Sequence, residues 1–145
     1  MQFMWADTLL AVERAHLLRL VLWGAASLVL GATLLVFLKA RGQRSPLLHH
    51  FAIQTAAWGA IDLALAANGL RTLQLRDLSG ATRLDRFVWL NIGLDLGYVL
   101  VGLTLLIAGW RIGRRAGLIG AGAGVVVQGA TLALLDVGLA SQISR

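Results

Sequence analysis

Residues 20–38 read LVLWGAASLVLGATLLVFL, nineteen positions without a charge. A helix needs about 20 mostly apolar residues to cross a hydrocarbon core of ~30 Å, and this run supplies them. Three more runs follow. Phe51 to Leu70 is interrupted only by Asp62, and Phe87 to Trp110 only by Asp95. Ala116 to Leu135 continues past Asp136 to Ile143. Buried strands would be far shorter, and barrel strands would alternate. Backbone polar groups in lipid must be satisfied within each segment. The expectation is therefore all-α: an integral membrane four-helix up-down bundle. Residues 1–145 form a single four-span domain, with spans at about 17–38, 47–70, 86–110 and 115–141.

Composition agrees. Hydrophobic residues make up 58% and charged residues 14%, where a soluble domain carries about 25% charge. Mean hydropathy is +0.76. The net charge of +6 does not mark a nucleic-acid-binding surface, because the arginines lie between apolar runs and not along one face. Cysteine is absent, which excludes disulfides, thiol nucleophiles and thiolate ligands. His16 lies at one end of its span, whereas His49 and His50 lie at the opposite end of theirs, so they do not converge on a haem. No cofactor and no metal are expected.

Local chemistry marks the boundaries. Ser45-Pro46 reads as N-cap and first helical residue. Asp85 is the N-cap expected for the third helix, and Asn68-Gly69 the left-handed end of the second. Gly113 ends the third and leads into a tight turn. Residues 1–15 contain no leader-like basic start and read as an interfacial helix before the first span. The N-terminal side carries seven basic residues, Arg145 among them, and the other side six. The six, Lys39, Arg41, Arg44, Arg111, Arg114 and Arg115, are concentrated in two short loops without acids. Density in short loops decides orientation. The termini are accordingly expected on the periplasmic face of a bacterial inner membrane.

The informative residues are polar ones inside the spans. Gln54, Trp58 and Asp62 share one face of the second helix; Asn91, Asp95 and Tyr98 share one face of the third. Gln128, Thr131 and Asp136 follow in the fourth. At ~1.5 Å per residue, Asp62, Asp95 and Gln128 each lie about 12 Å from the N-terminal side. A charged group at that depth needs partners and faces the bundle interior. This layer has two readings: a site holding a proton, a cation or a polar ligand group, or a static network that fixes helix register. A hydrogen bond from Gln128 or Tyr98 to the ionised member is expected. Gly93 and Gly97 form a GxxxG pair, and Gly113, Gly117, Gly120 and Gly124 run along the fourth helix. Small residues let backbones approach, within the bundle or against a protein partner or second copy.

Several of these residues also carry a resemblance. His50-Phe51 with Gln54, Trp58-Gly59 and Asp62, then Asn91, Gly93-Leu94-Asp95 and Tyr98, then Val127-Gln128-Gly129 with Asp136 resemble a family of small bacterial four-helix membrane proteins catalogued as a domain of unknown function. The likeness runs from about His49 to Asp136. It implies four-span topology and a polar core, and an Asn in relatives where this chain has Asp62. Small multidrug transporters place an essential Glu within the first span, whereas Glu13 here precedes it. The function expected is non-enzymatic: an accessory or structural subunit of a larger membrane assembly. The alternative is a proton- or cation-coupled small transporter or ligand-binding bundle using Asp62, Asp95 and Gln128.

Overall fold

The computed structural model describes residues 2–143. Met1 and Arg145, which the span and charge assignments included, lie outside the described residues. Four helices follow in order: α1 (Gln2–Ala40), α2 (Pro46–Arg71), α3 (Leu78–Arg111) and α4 (Ala116–Ile143). The described residues contain no strand. Three of the helices, α1, α3 and α4, are long and apolar enough to cross a membrane. α2 is not among them; Gln54, Asp62 and Asn68 interrupt its apolar sequence.

α1 is one continuous helix, so the separate interfacial segment expected up to residue 15 is absent. Its first turns do not lie flat. Leu9 packs with Ala81, Leu84, Val88 and Ile92 of α3 and with Leu139 and Ala140 of α4. Nothing in residues 5–23 breaks a helix, and burial of Leu9 and Glu13 rewards its continuation.

The caps explain two other differences. Ser45 accepts from Leu48 N–H at 3.4 Å and Pro46 opens α2, as the sequence suggests. α3, however, begins at Leu78 and not near residue 86. Asp77 is its N-cap, with Oδ1 accepting from Gly80 N–H at 2.7 Å and from the Ser79 hydroxyl at 2.9 Å. These donors hold the Asp77 carboxyl below the ordinary carboxylate range. Asp85 lies two turns inside the helix. α2 likewise runs through Asn68-Gly69 and stops at Arg71, where the Thr72 N–H and hydroxyl both donate to the Asn68 carbonyl at 3.1 and 3.0 Å. Gly113, with φ +71°, makes the expected turn into Arg114.

The packing order is not a square. α4 touches all three other helices, α1 pairs with α2, and α3 pairs with α4. No Cα of α2 comes within 8 Å of a Cα of α3. The close seams are built from small residues. A Cβ on Gly59 would lie 2.5 Å from the Leu28 nitrogen, and one on Gly122 would lie 2.6 Å from the Gly102 carbonyl oxygen. Gly117, Gly120 and Gly124 bring α4 against His50, Leu47 and Gln54 of α2. Gly93 and Gly97 do not join a seam: an added Cβ there meets nothing within 4 Å. They sit on the half of α3 turned away from α4, so their GxxxG spacing makes no contact inside the bundle.

Candidate functional site

The polar residues divide into two assemblies. The first is a clamp between α1 and α4. Trp23 Nε1 donates to Gln128 Oε1 at 2.8 Å, and Gln128 Nε2 donates to Ser27 Oγ at 3.1 Å. Gln128 and Ser27 are each 2% exposed. Both polar atoms of the Gln128 amide are thus used, and neither reaches a carboxylate. Gln128 does not meet the expected partners, since it faces α1. Gln54 also lies outside the carboxylate cluster, with its side-chain stem packed on Gly124.

The second assembly is a cavity of about 490 Å³ bounded by all four helices. α2 contributes Trp58, Asp62 and Asn68; α3 contributes Asn91, Asp95 and Tyr98; α4 contributes Asp136; α1 contributes Glu13 and His16. Of the nine polar residues singled out from sequence, the cavity brings together Trp58, Asp62, Asn91, Asp95, Tyr98 and Asp136, and leaves out Gln54, Gln128 and Thr131. Trp58 and Tyr98 meet edge to face at 4.7 Å between ring centroids and bridge the gap between α2 and α3. Leu17, Leu20, Leu84, Val88, Leu132 and Leu139 supply apolar wall.

Asp62 is 1% exposed and Asp95 6%. One oxygen of each, Oδ2, is buried and has no hydrogen-bond partner in the protein. Neither carboxylate bonds to Tyr98 or Gln128, contrary to the expected network. Tyr98 is turned edge-on to Trp58 and Gln128 is held by Trp23 and Ser27. Asp136 does find a partner: His16 Nε2 lies 3.3 Å from its Oδ1. At the N-terminal end, Arg76 donates two hydrogen bonds to Glu13, from Nε at 2.8 Å and Nη2 at 2.6 Å. Those bonds raise the Arg76 pKa above its ordinary value. This fork ties the 72–77 connection to α1. Among the described residues no three His, Asp or Glu side chains gather around a metal-ion position.

Sequence reasoning missed Glu13, His16, Ser27 and Arg76 as members of the polar interior. A signal was present. Leu9, Glu13, His16, Leu20, Trp23 and Ser27 recur at steps of four and three, one stripe on a single helix. Treating residues 1–15 as a separate segment cut that stripe in two.

Four helices with glycine seams, an apolar outer surface and a carboxylate-lined interior define a bundle compatible with a membrane protein. The chain belongs to DUF6992, a family of unknown function, whose match spans residues 19–137. That match includes Asp62, Asn91, Asp95, Tyr98, Gln128 and Asp136, and stops short of Glu13 and His16. No curated protein and no solved structure matches the chain.

Proposed function

We propose that this protein is a non-enzymatic, membrane-embedded binding bundle that holds a positively charged group between Asp62 and Asp95. The observation that carries the reading is that Asp62 and Asp95 both line the cavity and each keeps one carboxylate oxygen buried without a partner. Buried polar atoms are nearly always satisfied, and an orphan asks for a ligand or a proton. A static network would have used these atoms in bonds between helices, as it uses Gln128. An ammonium or other N–H donor would satisfy both oxygens while the apolar walls hold its remainder.

The proposed setting is a bacterial inner membrane, with the Lys39–Pro46 and Arg111–Arg115 loops in the cytoplasm. Support comes from the acid-free, short, basic character of those loops. A second reading, as accessory subunit, has one observation in its favour: Gly93 and Gly97 present an uncovered small-residue face on α3.

The binding reading is tested by melting the purified protein in detergent with octylammonium or with neutral octanol. Octylammonium should raise the midpoint by several degrees, and Asp62→Asn with Asp95→Asn should remove that rise. Equal shifts from the alcohol and the amine, or no shift from either, would sink it.

A further inference from the structure

We infer that the ligand is a single-headed amphiphile, a protonated amine on an apolar chain, and that it reaches the carboxylates sideways from the bilayer between α2 and α3. This rests on the binding reading above and adds a ligand class and a route. The backbones of α2 and α3 stay apart along their length, although α2 packs on α1 and α4, and α3 on α4. α1 and α3 share no backbone seam either, but there Leu9 of α1 clusters with Ala81, Leu84, Val88 and Ile92 of α3, which leaves the α2–α3 gap as the less covered side of the cavity. Four residues line the cavity and are also exposed on the outer surface: Ile61 at 46% and Leu65 at 61% on α2, Phe87 at 58% and Leu94 at 49% on α3. They are the two jambs of an opening, and all four are apolar.

The opening has the wrong chemistry for a hydrated ion. A small aqueous cation would need polar groups along its path to replace its water, and Ile61, Leu65, Phe87 and Leu94 offer none. The path suits a molecule whose chain is already dissolved in lipid. Its head would meet Asp62 Oδ2 and Asp95 Oδ2, each buried and unpartnered. The aromatic pair Trp58–Tyr98 lies beside the same opening, where ring faces favour an ammonium. At the N-terminal end Glu13 lines the cavity and is already paired with Arg76. Charge inside and apolar jambs outside together select an amphiphilic cation over a soluble one.

The test uses the full chain in phosphatidylcholine nanodiscs with dodecylammonium carrying a photoreactive diazirine in its tail. Saturable labelling is expected on peptides holding Ile61, Leu65, Phe87 or Leu94. Asp62→Asn with Asp95→Asn should weaken it roughly tenfold or more, because a buried charge pair has lost its anion. Leu65→Trp, which leaves both carboxylates in place, should slow labelling by narrowing the gap. Tetramethylammonium, which has the charge without the chain, should not compete. Labelling confined to Glu13 and Thr72 peptides, yet still dependent on the carboxylates, would overturn the lateral route and leave the binding reading standing. Equal labelling by a diazirine alcohol would overturn both. Nanodiscs containing phosphatidylethanolamine separate the sources. Competition by that lipid identifies a membrane lipid headgroup as the amine, and its absence identifies a free amphiphile.

Discussion

At the scale of single residues, Gln128 and the two aspartates behave differently although counting along the helices places them at one depth. Depth follows from rise per residue and is legible in sequence. Facing depends on which helices adjoin, and that is not. α4 sits against all three other helices, so a polar residue on it has three sides to choose from, and Gln128 chose α1. Its role is then structural. Gln128→Leu should leave the Trp23 N–H and Ser27 hydroxyl buried without partners, a loss of about 1–3 kcal/mol. It should lower the melting midpoint in detergent while octylammonium still stabilises what remains. Asp62→Asn should do the opposite, keeping the midpoint and losing the response. A Gln128→Leu protein that melts like the native chain would refute the clamp. The burial of Asp62 and Asp95 was legible in sequence, because a carboxylate in an apolar run must face inward. Glu13 and His16 escaped notice because their stripe begins before the first uncharged run.

At the scale of elements, the long apolar runs gave the helices, and their ends were less legible. Asp77 prevailed over Asp85 as the cap of α3 because Ser79 and Gly80 follow it with donors in reach. No apolar periodicity reports that. Glycines show the same limit. GxxxG spacing on α3 is real, yet the glycines of α3 that touch α4 are Gly102 and Gly109, a heptad apart. The face that packs is set by the partner helix and not by the spacing. Gly122→Leu should therefore lower stability by several kcal/mol, as overpacking against a backbone with no room to yield. Gly93→Leu and Gly97→Leu should leave the melting midpoint of the monomer unchanged. If α3 docks on another subunit through that face, the same two variants should lose the partner from the native mass spectrum. A native protein that is monomeric, at a mass no variant alters, would end the accessory reading.

At the scale of the whole molecule, four antiparallel helices followed from hydropathy alone, but the splayed order did not. Apolarity says that a helix is covered and not by what. Orientation is open to a direct check. A Gln43→Cys protein should be shielded from an impermeant thiol reagent in intact cells and react after permeabilisation, while Ser141→Cys should react in both. The reverse pattern would invert the assignment. The helices also differ in length, and this has a consequence for the surrounding lipid. At 1.5 Å per residue the 39 residues of α1 span about 58 Å and the 34 of α3 about 51 Å, against about 39 Å for α2 with its 26. The excess of both long helices falls at the N-terminal end, where exposed Arg14, Arg19, Arg83 and Arg86 ring the bundle. In the proposed membrane setting those long side chains would reach for headgroups over a range of surface levels. A thicker bilayer climbs the α1–α3 overhang and a thinner one retreats from it. In the membrane setting proposed above, bilayer thickness would set how far below the lipid surface Asp62 and Asp95 lie.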